Sequence, residues 1–299
     1  MASCIRLEHL SKSFGSTLAV NDFSLEIEQG EVFGLLGPNG AGKSTTFYMM
    51  CGLLRPTSGR ISIFGKDLHT NFLEISARMG VLVERPSFYD YLTVAKNLRL
   101  FAKLAEKEVT IDRTLDLVGM LHVSDQKVGT LSTGMRQRLG LALAFLTEPE
   151  LLILDEPANG LDVEQTQEVV RLLRRLADGA NVTIVLSSHM MEEVEALCDR
   201  IAIMNEGRLV TCEETEALIS YDKTRLEVLM DTPETAARRL VQEDWVQSVE
   251  VKRGRLLVHL HEPNPHQLNT FLIGAGYQMS GIIPRRRTLQ EFFLKALNK

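Results

Sequence analysis

Long apolar runs are missing from this sequence. The longest, LGLALAFL at 139–146, falls far short of the roughly 20 residues that a membrane-crossing helix needs, so the chain is not expected to cross a bilayer alone. The opening residues MASCIRLEHL lack the basic start and long apolar stretch of a secretory signal. Cysteines are few: Cys4, Cys51, Cys198 and Cys212 form no CxxC pair and have no metal-ligand spacing with the seven histidines, which points to reduced thiols in a cytosolic protein. Positive charge is not in excess either. A formal net charge of −6 gives no support to general nucleic-acid binding, and no nucleic-acid partner is expected. Long-period repeats and low-complexity tracts are also absent. What is left is the composition of a globular protein of 299 residues, with room for two domains.

The charge is divided unevenly along the chain. From Asp222 to Lys299 there are 12 Lys and Arg against 9 Asp and Glu, whereas residues 1–221 hold 21 against 30. A boundary near Ser220 follows, giving domains at 1–220 and 221–299. In the first, EVFGLLG (31–37), RMGVLVE (78–84), LLILDE (151–156) and VTIVLSS (182–188) read as strands alternating with helical stretches. Several are apolar throughout, as in a mostly parallel α/β sheet covered on both faces. IRLEHLSKSFG and FSLEIEQG alternate instead, which predicts a partly exposed antiparallel sheet ahead of the core. RIAIMNEGRLVTC (200–212) predicts a hairpin turning at Asn205, Glu206 and Gly207. Beyond residue 222 the order strand, helix, strand, strand, helix, strand suggests a small α+β domain of the ferredoxin-like kind, with a last helix from Thr288.

The chemistry is concentrated in the first domain. GPNGAGKST (37–45) matches G-x-x-x-x-G-K-[ST] at Gly37, Gly42, Lys43 and Ser44, after a predicted strand and at the start of a predicted helix. Small residues through Gly37, Pro38, Asn39, Gly40, Ala41 and Gly42 let consecutive backbone N–H groups approach phosphate oxygens, and the helix N-terminus adds partial positive charge. Lys43 would reach the terminal phosphates, Ser44 would ligate Mg²⁺, and Thr45 closes the motif. The apolar strand LLILDEP brings Asp155 to the sheet edge where α/β sheets bind ligands, placed to hold Mg²⁺. Glu156, one residue later, is placed to polarise a water for attack on the γ-phosphate of ATP.

A P-loop specifies a nucleotide and not a task. Taken with LSTGMRQRLGLA (131–142), ANGLD (158–162) and SSH (187–189) in that order, however, the chain from about residue 4 to 219 resembles the ATP-binding subunits of ABC transporters. The resemblance implies a P-loop NTPase domain of the ABC ATPase type, a mostly parallel sheet with antiparallel β and helical subdomains. It implies that Ser132 and Gly134 contact the γ-phosphate of ATP held by a second copy; Ser132 is also a good N-cap for its helix. Thr133 and Met135 depart from the family's usual signature. His189 resembles the switch histidine that orients the attacking water. Asp162 resembles the loop joining the two sites, although an N-cap for a helix from 163 is an equally good local account. Phe14 occupies the place where an aromatic ring stacks on adenine.

Glu84 stands where most members have a glutamine that offers Mg²⁺ a neutral oxygen, and a carboxylate there adds negative charge beside metal and nucleotide. With its SxGMRQRL signature this makes the chain similar to the ATPases of bacitracin and lantibiotic-type exporters. The stretch RTLQEFFLKAL resembles the tail of drug-export ATPases. The expectation is an exporter subunit at the cytoplasmic face of the membrane, binding ATP and Mg²⁺. Its expected partners are separate membrane subunits, with Phe88, Tyr89 and Tyr91 in the docking segment, and a second copy of itself in an ATP-sandwich homodimer. A soluble ABC-type ATPase and an importer subunit are the rival readings.

Overall fold

The computed structural model describes residues 2–83, 87–188, 190–219, 221–286 and 288–297. The chain forms two compact units, Met1–Thr215 with Phe293–Lys299, and Glu216–Phe292.

The first unit opens with β1 (Ser3–Phe14) and β2 (Thr17–Glu28), an antiparallel ribbon in which buried and exposed side chains alternate. Next come β3 (Val32–Leu36), α1 (Lys43–Met50), β4 (Ser58–Ile63), β5 (Lys66–Asp67), α2 (Phe72–Ser76) and β6 (Met79–Leu82). A helical stretch follows, with α3 (Val94–Leu104), α4 (Ile111–Leu117) and α5 (Thr133–Phe145). Then β7 (Leu151–Asp155), α6 (Val163–Ala180), β8 (Thr183–Ser187), α7 (Met191–Leu197), β9 (Arg200–Asn205), β10 (Arg208–Glu214) and the single turn α8 (Thr215–Leu218) complete the series. One sheet, β2-β1-β4-β5, is antiparallel. The other has the order β10-β9-β3-β8-β7-β6 and is parallel except for β10.

Strands β3 and β8 are buried along their whole length, and β7 as far as Leu154. Their runs of Val, Ile and Leu therefore show no alternation, as burial on both faces requires. The hairpin between β9 and β10 turns on Glu206 and Gly207, whose φ angles of 46° and 76° are both positive, the primed-turn geometry that matches strand twist. Helix starts follow side-chain chemistry. Thr93, Ser132 and Asp162 each accept a bond from the backbone N–H three residues on, capping α3, α5 and α6. Cys4, Cys51 and Cys198 are buried among apolar side chains, and burial pushes the Cys51 thiol up to about 12.

The second unit contains β11 (Tyr221–Met230), α9 (Pro233–Leu240), β12 (Val246–Lys252), β13 (Arg255–Leu260), α10 (Pro265–Gly274) and β14 (Met279–Arg286), after which α11 (Leu289–Leu297) begins. Its sheet, β12-β13-β11-β14, is antiparallel throughout. Leu226 and Val228 of β11, Leu256 and Val258 of β13, Ala236 and Leu240 of α9 and Leu268 and Leu272 of α10 share one core.

Burial at the centre of the parallel sheet sets the stability of the first unit. Leu152, fully buried in β7, leaves a cavity when truncated. Leu152→Ala is expected to lower unfolding stability by about 2–5 kcal/mol, read as a shift in the denaturant midpoint.

Candidate functional site

The parallel sheet aligns the groups of interest by strand register. β8 lies between β3 and β7, and its last residue, Ser187, pairs with Leu35 on one side and Asp155 on the other. The loop that leaves β3 and the carboxylate that ends β7 therefore emerge on the same edge, at the carboxyl ends of the strands.

The loop at 37–42 is shaped by positions that accept no side chain. A Cβ on Gly37 would lie 2.4 Å from the Met204 carbonyl oxygen, and one on Gly42 2.4 Å from that of Ala19. Gly42, at the N-cap of α1, has φ 104°, a conformation that L side chains rarely adopt. The first N–H groups of α1 have no acceptor within the helix, and no acidic residue stands in its first turn to compete for them. A helix start of this kind, with its first N–H groups unpaired within the helix, suits an anion. Lys43, largely buried, donates from Nζ to the carbonyls of Gly37 at 2.7 Å and Pro38 at 3.1 Å, which holds its ammonium over the loop. Burial lowers its proton affinity, while the carboxylates of Glu156 and Asp155 act in the opposite direction. That attraction is the electrostatic sign of their nearness.

Ser44 is exposed at the start of α1 and Thr45 is half-buried. Among the described residues no three His, Cys, Asp or Glu side chains gather where they could hold a metal ion. A hydroxyl at Ser44 and a single carboxylate at Asp155 nonetheless fit Mg²⁺, which is commonly held by one or two carboxylates together with substrate phosphates and waters.

Ser187 joins the two acidic residues. Its side-chain hydroxyl donates to Asp155 Oδ1 and accepts from the backbone N–H of Glu156 at 3.0 Å. Glu156 itself has φ 49°, a left-handed conformation unusual for a residue other than glycine and costing on the order of 1–3 kcal/mol. The Ser187 contact was not singled out in the sequence, where SSH drew attention only to the histidine. The signal that could have found it is a polar residue ending an otherwise apolar strand.

The second group of residues surrounds the N-termini of α5 and α6. Ser132 accepts from Met135 N–H at 3.2 Å, and Asp162 accepts from Gln165 N–H at 2.8 Å, so each caps its helix. Gly134 lies against Gln165: a Cβ there would meet Gln165 Oε1 at 2.3 Å. Gln137 Nε2 donates to the Pro157 carbonyl at 2.7 Å, tying α5 to the segment after β7. Phe14 is about half exposed at the end of β1, with the Lys12 ammonium over its ring, 5.3 Å from the centroid. Glu84 and His189 lie outside the described residues. Between β6 and α3, Phe88 is half-buried edge-on against Phe101, while Tyr89 and Tyr91 are exposed and pair with each other. Buried Asn97 fixes that loop, accepting from Tyr89 N–H and donating to the Tyr89 and Thr93 carbonyls.

A glycine cradle after the central strand, with an acidic strand end beside it in a parallel sheet, defines a P-loop nucleotide-binding protein. The chain belongs to the ABC transporter family, whose pattern it matches over residues 20–159. It is 38% identical to the bacitracin transport ATP-binding protein BcrA of Bacillus licheniformis across 99% of this chain and 98% of that one. It is 34% identical to the Nod factor export ATP-binding protein I of Burkholderia orbicola across 87% of each. Among solved structures, cbiO1 from Clostridium perfringens, part of the transporter complex cbiONQ, superposes with a TM-score of 0.66 at 27% identity, covering 73% of this chain and 90% of that chain. The chain is thus an ATP-binding subunit of the ABC type.

The cradle's dependence on backbone approach is testable at Gly37. Gly37→Ala is expected to weaken ATP binding more than tenfold in a fluorescent-nucleotide titration, because the new methyl collides with backbone that cannot yield cheaply.

Proposed function

We propose that the chain is the ATP-hydrolysing subunit of an exporter whose membrane-spanning subunits are separate chains. The observation that carries the catalytic part is the register Leu35–Ser187–Asp155, which sets the phosphate cradle beside the acidic pair. Export is supported by the names of relatives: one is a bacitracin transport protein and another a Nod factor export protein. No helix among the described residues is long and apolar enough to cross a membrane, so work on a substrate requires a partner that does.

In this reading the loop from Gly37 to Thr45, through the N–H groups of its residues other than Pro38 and through Lys43, binds the phosphates of ATP, and Phe14 offers its ring to adenine. Ser44 and Asp155 would hold Mg²⁺, with Glu84 near them by family resemblance. Bound Mg²⁺ would neutralise charge on the β- and γ-phosphate oxygens. Glu156 polarises the attacking water and His189 orients it. The chain carries one P-loop and one signature, and Ser132 and Gly134 face the γ-phosphate held by a second copy, with Asp162 at the join. Two copies then close head to tail on two ATP molecules and separate after hydrolysis. The subunit works at the cytoplasmic face of the membrane, and Tyr89 and Tyr91 are placed to meet the membrane subunits. Residues 221–299 form an accessory domain that we assign to the ferredoxin-like kind, on its strand order β12-β13-β11-β14 and its β-α-β-β-α-β succession.

Glu156→Gln tests the assignment. The variant is expected to bind ATP as the parent does, to hydrolyse it at least ~100-fold more slowly, and to elute as a dimer on gel filtration in Mg²⁺ and ATP. Hydrolysis at the parental rate would remove Glu156 from the role.

A further inference from the structure

The end of β8 carries an anomaly. Every other residue of that strand after Thr183 is apolar and buried, yet Ser187 places a hydroxyl with 0% exposure at its last position. A buried hydroxyl is unfavourable unless its bonds are made, and here both kinds are. Its one hydrogen goes to Asp155 Oδ1, and a lone pair accepts the Glu156 N–H at 3.0 Å. The Ser187 carbonyl lies 3.2 Å from the same N–H, so the peptide before Glu156 is gripped by both acceptors of one residue.

Two consequences follow for the acidic pair. A donor fixed on one carboxylate oxygen sets the rotation of the Asp155 carboxylate about its Cβ–Cγ bond, and a metal ligand whose orientation is fixed loses less freedom on binding. Glu156 meanwhile holds a left-handed backbone that persists only where surrounding contacts over-determine it. The bonds to Ser187 are such contacts. One hydroxyl therefore constrains the aspartate on one side and the glutamate's backbone on the other.

We propose that Ser187 is a positioning residue for the metal-holding carboxylate, so that divalent metal binds the nucleotide complex with an affinity that depends on this hydroxyl. The proposal rests on the reading of the chain as an ATPase. It assigns Ser187 no contact with substrate.

The near-isosteric pair Ser187→Thr and Ser187→Val separates hydroxyl from shape, since both add bulk at a β-strand position and only one retains the donor. On the full chain, three quantities are measured: ATP affinity in EDTA, Mn²⁺ affinity of the ATP complex by electron paramagnetic resonance, and the Mg²⁺ concentration for half-maximal hydrolysis. Ser187→Val is expected to weaken Mn²⁺ binding about tenfold and to raise the Mg²⁺ requirement by a similar factor, with EDTA-measured ATP affinity unchanged within about twofold. Ser187→Thr is expected to lie within about threefold of the parent in all three. Equal behaviour of Thr and Val, whether both intact or both impaired, overturns the proposal, as does a loss of ATP affinity in Val that is the same with and without metal. Failure of the parent chain to bind ATP would instead overturn the ATPase reading.

Discussion

A polyphosphate is a dense array of oxygen acceptors, and backbone N–H groups can surround it only where the chain comes close enough for side chains to be in the way. That demand governs the first unit. It is met by a loop that Gly37 and Gly42 let pack tightly against β9 and β2, where a Cβ would strike a carbonyl, and in which Gly42 takes a conformation foreign to other residues. It also explains why the loop begins at a strand buried on both faces. A backbone site has to be rigid to work, and β3, held between β8 and β9, supplies that rigidity.

The same sheet brings charge to the site without long-range design. Parallel strands end together, so an acid at the end of β7 reaches the edge where the β3 loop emerges, one strand away. Burial lowers the proton affinity of Lys43 and is the larger effect; the carboxylates of Glu156 and Asp155 oppose it, and the carbonyls of Gly37 and Pro38 accept its bonds. The backbone strain at Glu156 belongs to this arrangement. A residue following directly on the strand end is turned out of the extended path, and the contacts of Ser187 hold the turn in place.

Much of this was legible in the sequence because it depends on local chemistry. Glycine spacing, a lysine after the last glycine, and an apolar run closed by two acids are read from neighbours along the chain. So are Ser132 and Asp162 as helix caps, and the succession of elements in the second unit. What escaped depends on register between distant segments. Ser187 touches Asp155 only because β8 pairs with β7 in one alignment, and Gly134 meets the side chain of Gln165, 31 residues later, only in the folded chain. Asn97 reads as an ordinary polar residue in a helix, and only the fold shows its amide buried and binding a loop eight residues earlier. The short helices α2 and α4 gave little signal, since five or seven residues span too few turns for a clear apolar stripe.

The meeting of α5 and α6 has a mechanical outcome. With Gly134 beside the Gln165 side chain, Gln137 bonded to the Pro157 carbonyl and Arg138 of α5 paired with Glu168 of α6, the two capped helix ends are held close to each other. Under the proposed closure of two copies on ATP, a shift of the serine tip would carry the aspartate tip with it.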